Sequence, residues 1–522
     1  MTVHLDKSST DPSEGSVVAR LCANWPIIVI TVVGAILILA NLGQQSLWQD
    51  EAQTALLAKT VIHHGIPLGT DGVNSFSQAQ GKDFGPHHLL RFPLWLQCYA
   101  LAPFLALLGS SAFAARLPFA LFGIVSIWLV YALALYIWRS CRIAVVSALL
   151  LVACVPYLLL VRQCRYYSLS IFFSMLALWG YYRLLRGEKY ALPTIIGASF
   201  LVFHSHYLHW AALTATMIID SLIFDRRTLK PVLVAASVTT AVNLPWIVWF
   251  YRIPQQEHAR SIAQAMTFLG VEAGQIAAWV LSPYLLAVPI LAGAIYFLLF
   301  KRHPERNPQA LRNLSPLILF SVIAMLIIAP TAYPMFRYLA PLVPICCMFI
   351  ALLLEPAMKV HVALGIAVIA VIVYLSPIQD FGYEITHEYR GPIDGIVKYL
   401  NEHAKKTDIV AMTYGDMPVK FYTGLRVVGG LTGEDLSISR NAEWIILREH
   451  YVCDDDIKVG KYFTNNIDQN KYEQITLDYP DTKYENRESL DDHHFRTVEL
   501  EQRVVIYHRR EDKSQNAKTT SH

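Results

Sequence analysis

The stretch WPIIVITVVGAILILANL, from Trp25 to Leu42, decides the fold class. It runs for 18 residues without a charged side chain, which is about the length that an α-helix needs to cross the hydrocarbon core of a bilayer. Further apolar runs follow along the chain, and the charged residues gather in short segments between them and at both ends. The sequence therefore predicts a polytopic α-helical membrane protein.

The overall composition supports this class. Of 522 residues, 54% are apolar and only 16% are charged, whereas about a quarter are charged in soluble domains. A formal net charge of +3, without a basic patch in a soluble segment, gives no reason to expect nucleic acid as a partner. The eight cysteines lack C-x-x-C spacing, so we expect neither a disulfide framework nor a cysteine metal site.

The orientation follows from the short loops rich in Lys and Arg, because positive charge is retained on the cytoplasmic side. This rule makes every second loop cytoplasmic and also places the N-terminal tail, residues 1–24, inside the cell. It predicts about eleven transmembrane helices, so that the C-terminal part lies outside the cytoplasm. The helices are predicted near residues 25–42, 112–138, 143–160, 167–184, 191–208, 210–224, 231–250, 276–300, 314–332, 336–354 and 360–376.

One apolar segment, residues 95–108, does not fit this register. It is short, it contains Pro103, and a crossing at this point would invert every later loop. We therefore expect residues 43–111 to form one large outer loop, in which 95–108 lies on the membrane surface or dips into it. The transmembrane domain is then predicted to extend over residues 25–376.

The composition changes near Asp380 to that of a soluble domain. A helical pattern at 392–404 precedes the strand-like DIVAMTY, a short helix at 417–423 and the strand-like EWIIL at 443–447. Residues 377–510 are thus predicted to form a small extracytoplasmic α/β domain. The polar end, residues 511–522, is predicted to be disordered.

Two adjacent carboxylates, Asp50 and Glu51, follow the first helix in the stretch SLWQDEAQ. The structural interpretation is that Asp50 caps a helix, with Gln53 as its capping-box partner. The functional interpretation is a reactive carboxylate at the membrane edge. The two are compatible, because a cap also fixes the direction of the carboxylate.

Arginine and tyrosine recur together at two other predicted outer positions. The second outer loop reads VRQCRYYSLS, with Arg162, Arg165 and Tyr167, and the segment YPMFRYLAPLVP contains Arg337 and Tyr338. Such residues can be snorkelling cations beside an aromatic belt. Alternatively, their guanidinium groups form an anion site, since they can bind phosphate oxygens in pairs.

The remaining candidates are polar residues of the first outer loop and a histidine-rich segment. They could serve a metal, a substrate or neither, and the poor helical spacing of His204 and His206 argues against a metal. We therefore expect no cofactor and keep a divalent metal as the alternative. The candidates for substrate binding are Asp83, His87, His88, Arg91 and His206.

In the order of its motifs, the sequence resembles the GT-C glycosyltransferases of the protein-mannosyltransferase and aminoarabinose-transferase type. The resemblance covers about residues 25–350, and each motif alone is of low specificity. The motifs are LWQDEA, RFPLW, AARLPFAL, VRQCRYYSLS, HSHYLHW, NLPWIV and FRYLAPLVP.

This resemblance implies a cell-membrane enzyme that moves a sugar from a polyprenyl-phosphate carrier to a glycolipid, polysaccharide or protein acceptor at the outer face. It implies that Asp50, with Glu51 beside it, acts as general base in an inverting displacement. The donor phosphate would be bound by Arg162, Arg165, Arg337, Tyr167 and Tyr338. Some relatives carry a second acidic residue in the second outer loop, whereas this loop has none, which argues for charge compensation without a metal.

Two other classes of function remain open at this point. A transporter or lipid-linked-sugar flippase would carry ionisable residues at mid-membrane depth, and the apolar runs here contain almost none. A scaffold whose tail recruits a partner would leave Asp50 and the arginines without a use. The glycosyltransferase is therefore the main hypothesis.

Overall fold

The computed structural model describes residues 25–251, 261–281, 308–330, 335–448, 454–483 and 486–510. The chain is mostly helical up to residue 403, and a mixed sheet follows in the C-terminal part. Predicted tails 1–24 and 511–522, and most of the predicted helix 276–300, lie outside the described residues.

The helices agree closely with the apolar runs of the sequence. In the N-terminal half they are α1 (Trp25–Leu39), α2 (Gln49–His64), α3 (Trp95–Leu108), α4 (Ala112–Trp138), α5 (Cys141–Ala153), α6 (Val155–Val161), α7 (Tyr167–Leu185), α8 (Ala191–Ser205), α9 (Tyr207–Phe224) and α10 (Leu229–Tyr251). The later helices are α11 (Ile262–Gln275), followed by a π-helical turn (Ile276–Leu281), then α12 (Pro308–Ile328), α13 (Leu342–Val360), α14 (Val362–Leu375) and α15 (Ile378–Glu384).

Several of these helices are long and apolar enough to cross a membrane. Within the described residues four single helices meet this condition, and up to six spans result if each of two bent helix pairs counts as one. The bent pairs are α5 with α6 and α14 with α15, and five shorter apolar helices accompany them. The chain is therefore a multi-pass membrane protein, and the count of about eleven spans stays a prediction.

The predicted first outer loop contains two helices that pack against each other. Apolar residues of α2, Leu57 and Val61, form a small buried cluster with Cys98 and Ala102 of α3. Helix α2 ends at Gly65, whose left-handed backbone (φ 77°) stops the helix, as glycine commonly does. This packing holds the second half of α2 against α3.

The C-terminal part forms a five-stranded sheet with α16 (Pro392–His403), α17 (Asp416–Thr423) and α18 (Asp454–Asn466). The strands are β1 (Ile409–Met412), β2 (Arg426–Gly429), β3 (Trp444–Ile446), β4 (Tyr472–Pro480) and β5 (Arg503–Arg509), in the order β2-β1-β3-β5-β4. The first three strands are parallel, and β5 pairs antiparallel with β3 and β4. The predicted helix at 392–404 and both predicted strands are confirmed.

Alternation along β1 distributes its side chains over two hydrophobic layers. Val410 and Met412 pack with Ile396 of α16, whereas Ala411 packs with Phe463 of α18 on the other face. This is the two-residue period of a strand that is covered by helices on both sides.

The C-terminal domain is attached to the segment 43–111, the predicted first outer loop, by buried polar contacts. The amide of Gln49 donates to Asp416 Oδ1 over 2.6 Å, and Asp416 also pairs with the fully buried Lys420. Leu47 N–H donates to the hydroxyl of Tyr422 over 2.9 Å. The sheet domain therefore lies directly beside the start of α2.

Candidate active site

The start of α2 differs from the predicted cap. The helix begins at Gln49 with Trp48 in the N-cap position, and the carboxylate of Glu51 accepts the Trp48 backbone N–H over 3.3 Å. The prediction that Asp50 caps this helix is therefore wrong. Asp50 lies in the first turn, where the N-terminal end of the helix dipole favours a negative charge.

Asp50 is held between two arginines that are distant in sequence. Arg337 Nη1 lies 3.0 Å from Asp50 Oδ2, and Arg165 Nη2 lies 3.6 Å from the same oxygen. Arg165 also donates to the backbone carbonyl of Asp50 and to the hydroxyl of Thr54. The Asp50 side chain keeps 17% of its surface exposed, so a reactant could still reach it.

The charge state of Asp50 follows from these neighbours. Burial raises the pKa of Asp50, but the guanidinium groups of Arg165, Arg337 and Arg487 outweigh it and hold the pKa below its ordinary value. Asp50 is therefore a carboxylate at neutral pH and can accept a proton or hydrogen bonds.

The segment between α6 and α7 wraps around the start of α2. Gln163 Oε1 accepts from the indole of Trp48 over 2.7 Å, Cys164 N–H donates to Glu51 over 2.7 Å, and Arg165 reaches Asp50. Three successive residues of the motif VRQCR thus bind three residues of LWQDEA, namely Trp48, Glu51 and Asp50.

Glu51 lies in a different environment from Asp50. It is fully buried and forms a two-pronged ion pair with Arg116, with distances of 2.9 Å from Nε to Oε1 and 2.6 Å from Nη2 to Oε2. Arg116 additionally donates to the carbonyls of Leu42, Gln45 and Ser46. This pair joins α4 to the end of the first helix and to α2.

Arg162 is separated from Arg165 by its partners, although the two are close in sequence. Its guanidinium donates to the carbonyls of Leu37, Ile38 and Ala40 at distances of 2.8 to 3.1 Å. These are backbone acceptors at the C-terminal end of α1, which otherwise lack partners. Arg162 therefore caps α1.

Several buried polar atoms around Asp50 have no hydrogen-bond partner. They are Nε of Arg165, the hydroxyls of Tyr166 and Tyr167, Nδ1 of His206 and Oε2 of Glu488. Buried polar groups are usually paired, so a group of unpaired ones beside an accessible carboxylate indicates a place for a polar ligand.

Aromatic rings connect these residues into one cluster. The His206 ring lies 5.0 Å from Tyr166 and 5.5 Å from Tyr338, and Tyr166 lies 4.7 Å from Tyr167. The guanidinium of Arg337 lies 5.8 Å from the Tyr338 ring. The structure thus brings Asp50, Arg165, Arg337, Tyr167, Tyr338 and His206 together.

The C-terminal domain adds three residues, Asn486, Arg487 and Glu488, that no sequence pattern singled out. Arg337 Nη1 also lies 3.5 Å from Glu488 Oε1, and the Arg487 guanidinium lies 4.6 Å from the ring of Trp48. Asn486 accepts from Gln163 through its backbone carbonyl. Their local sequence, ENRESL, is an ordinary polar stretch, so only the fold reveals their position.

The other site candidates of the predicted first outer loop lie beyond α2 in the chain. Asp83 accepts from Gln53 Nε2 and from the backbone of Gln78, each over 3.0 Å, which ties the loop to α2. His87 and His88 are exposed in a short 3-10 turn, and Arg91 donates to the Lys82 carbonyl. In the described part of the chain, no three or more His, Cys, Asp or Glu residues are grouped as metal ligands would be.

Comparison with known proteins agrees with this geometry. Residues 95–249 match the family described as dolichyl-phosphate-mannose-protein mannosyltransferase. No curated protein matches the sequence. The family match covers α3 to α10, including Arg116 and the segment between α6 and α7.

Solved structures share the fold over nearly the whole chain. ArnT from Cupriavidus metallidurans bound to undecaprenyl phosphate aligns with a TM-score of 0.57 at 12% identity, over 93% of this chain and 98% of that one. The apo form of the same ArnT gives a TM-score of 0.58, also at 12% identity, with the same coverage of both chains. The oligosaccharyltransferase AglB from Archaeoglobus fulgidus aligns with a TM-score of 0.52 at 11% identity, over 90% of this chain and 75% of that one.

Together the helices, the mixed sheet and the arginine-flanked carboxylate form a multi-pass membrane protein whose fold is similar to that of ArnT. The resemblance drawn from the sequence motifs is confirmed, with the protein-mannosyltransferase family matched over residues 95–249 and the fold of ArnT found over almost the full length.

Proposed function

We propose that this protein is an integral membrane glycosyltransferase that moves a sugar from a polyprenyl-phosphate carrier to a glycolipid, polysaccharide or protein acceptor at the outer face of the cell membrane. The observation that carries the proposal is the position of Asp50, an accessible carboxylate held between Arg165 and Arg337. ArnT, whose fold the chain shares, has been solved with undecaprenyl phosphate.

The donor phosphate would bind to the arginines and tyrosines around Asp50. Arg165 has an unpaired Nε, and the hydroxyl of Tyr167 is unpaired in the same cluster, so both can donate to phosphate oxygens. Arg337 and Tyr338 complete this set from the other side. Arg162 is engaged by the end of α1, and we therefore assign it to positioning rather than to the phosphate.

Asp50 would act as the general base of a single displacement. The acceptor hydroxyl oxygen attacks the anomeric carbon and forms the new glycosidic bond, while the bond from that carbon to the phosphate oxygen breaks. The hydroxyl proton passes to Asp50, and the bonding electrons leave with the polyprenyl phosphate. The arginines stabilise the negative charge that develops on this leaving group.

The arginines also affect how basic Asp50 is. In the free site they lower its pKa, which keeps it ionised but makes it a weak base. A bound phosphate draws Arg165 and Arg337 toward its own oxygens, so that Asp50 loses part of its compensation and becomes more basic. Donor binding would thus prepare the carboxylate for proton transfer.

From the sequence Glu51 is expected to take part in catalysis beside Asp50, and in this proposal it has a structural role instead. Both of its oxygens are bound by Arg116, and it has no exposed surface. We assign Glu51 as a positioning residue that fixes the first turn of α2 and hence the direction of Asp50. Asp83, His87, His88, Arg91 and His206 remain candidates for contacts with substrate, and no step of the proposed reaction requires a metal.

A transporter or flippase has less support. Asp220, an acidic residue within the candidate span Tyr207–Phe224, accepts hydrogen bonds from Ser315 and Tyr181 over 2.5 and 2.7 Å. Such a fully paired group is typical of a structural contact between helices. The site around Asp50, in contrast, offers unpaired donors.

Two experiments test the proposal. Purified protein in vesicles should release polyprenyl phosphate from a polyprenyl-phosphate sugar when an extract of envelope glycolipids and glycoproteins is added. Mass spectrometry of these envelope fractions, with and without the gene, should show one glycan that is lost. If no fraction changes and no donor is consumed or bound, the proposed function is wrong.

A further inference from the structure

Glu488 is a carboxylate that the C-terminal domain places at the proposed phosphate site. It follows β4 and lies 151 residues after Arg337 in the chain. Its Oε1 lies 3.5 Å from Arg337 Nη1. Only 6% of Glu488 is exposed, and its Oε2 has no hydrogen-bond partner. The proposed displacement does not use this residue.

The backbone around Glu488 is fixed in place by contacts with the membrane domain. The carbonyl of Asn486 accepts from Gln163 over 2.7 Å, and the carbonyl of Arg487 bonds the ring of His493, which in turn pairs with Glu384 over 2.7 Å. The carboxylate of Glu488 is therefore held in the site by the fold.

The net charge of the site depends on the Glu488 carboxylate. Arg165, Arg337 and Arg487 contribute three positive charges near Asp50, and Asp50 and Glu488 contribute two negative ones, which leaves a surplus of one positive charge. A sugar donor linked through a phosphodiester carries one negative charge. The lipid phosphate that remains after transfer is a monoester, whose charge at neutral pH lies near −2.

We propose that Glu488 is a specificity residue that makes the site favour the singly charged phosphodiester donor over the doubly charged phosphomonoester product. This inference rests on the proposed function. A phosphate bound to Arg337 lies within range of the Glu488 carboxylate, so each added negative charge on the phosphate is repelled. Glu488 thereby promotes release of the spent lipid phosphate.

The test compares two lipids that differ only in this charge, a polyprenyl phosphate and its methyl phosphodiester. Their dissociation constants are measured in detergent at pH 8 for the wild type, Glu488→Gln and Glu488→Ala. The quantity compared is the ratio of the monoester dissociation constant to the diester dissociation constant. Both variants should lower this ratio about tenfold below the wild-type value, since one charge that repels the monoester is removed. The matched control is Glu499→Gln, an exposed carboxylate of the same domain, which should leave the ratio unchanged.

Failure of the specificity role and failure of the proposed function give different results. If the wild type binds neither lipid, the proposed function fails. If the wild type binds lipid phosphates but the ratio is the same in the Glu488 variants, or if both lipids are weakened equally, the specificity role is overturned while the proposed function stands. The Ala variant serves in case the Gln variant does not fold.

Discussion

The guanidinium of Arg337 lies 3.0 Å from the carboxylate of Asp50, although 287 residues separate them in the chain. The pair joins the beginning of α2 to the 3-10 turn Phe336–Leu339 that precedes α13. Each partner is less than a fifth exposed, at 12% and 17%. This contact places a guanidinium directly beside the carboxylate that we propose as the general base.

Removing either arginine beside Asp50 should weaken donor binding. Arg337→Gln and Arg165→Gln each lose a charge-assisted hydrogen bond to the phosphate, so we expect roughly tenfold or larger increases in the dissociation constant of a polyprenyl-phosphate lipid. Arg183→Gln, at a partly exposed ion pair with Glu188, is the control and should bind normally. Equal losses in donor and acceptor binding would mean that the two arginines only anchor helices.

Arg162 should behave differently from Arg165. Arg162→Gln removes donors from three carbonyls at the end of α1, and we expect it to destabilise the protein by about 2 kcal/mol. The folded fraction of this variant should still bind the lipid phosphate, with a dissociation constant within about twofold of the wild-type value. Thermal unfolding in detergent and lipid binding, measured on the same samples, check both parts, and a selective loss of lipid binding would return Arg162 to the phosphate site.

The ion pair between Glu51 and Arg116 should contribute strongly to stability. Either single change, Glu51→Gln or Arg116→Met, leaves a buried charge without its partner and should cost about 3–5 kcal/mol. The double variant should lose clearly less unfolding free energy than the two single variants lose together. Unfolding measurements on the four proteins give this comparison; additive losses would indicate that the two side chains do not act as a pair.

Lys59 links α2 to the C-terminal domain and should make stability depend on pH. Its amino group donates to the Phe421 carbonyl over 3.0 Å, and burial lowers the pKa of Lys59 to about 8. The folded protein therefore disfavours the charged form of Lys59, which reduces the free energy of unfolding below pH 8. This free energy should rise as the pH increases from about 8 toward 10.5, the ordinary pKa of Lys59 in the unfolded chain.

The comparison for Lys59 is with Lys59→Met, which has no charge to lose. Between pH 8 and 10.5 the unfolding free energy of the wild type should rise relative to that of the variant. The rise should be at most about 3 kcal/mol. A difference that is independent of pH would contradict the buried position of this amino group.

Much of this architecture could be predicted from the sequence because it is local. The apolar runs define helices such as Ala112–Trp138, and a short continuous apolar run defines the strand Ile409–Met412. Loop charges brought Asp50, Arg165 and Arg337 together in one register, and the structure finds them in contact. The orientation of the chain across the membrane remains a prediction.

The remaining features depend on contacts between distant parts of the chain. Nothing near Glu488 in the sequence indicates that it meets Arg337, and nothing near Arg116 indicates that it binds both oxygens of Glu51. The wrongly predicted cap also depends on a distant contact. Asp50 fits a helix start by its residue type, but the helix begins at Gln49 with Trp48 in the N-cap position, and the Trp48 indole is bound by the distant Gln163.

The most direct test of the central claim is the turnover of Asp50→Asn with a polyprenyl-phosphate sugar as donor. Asparagine is similar in size but cannot accept the acceptor's proton, so the rate should fall by about 100-fold or more. The variant should still insert in the membrane and bind the donor at least as well as the wild type, because Arg165 and Arg337 are then free for the phosphate. Near-normal turnover in Asp50→Asn would contradict the assignment of Asp50 as general base.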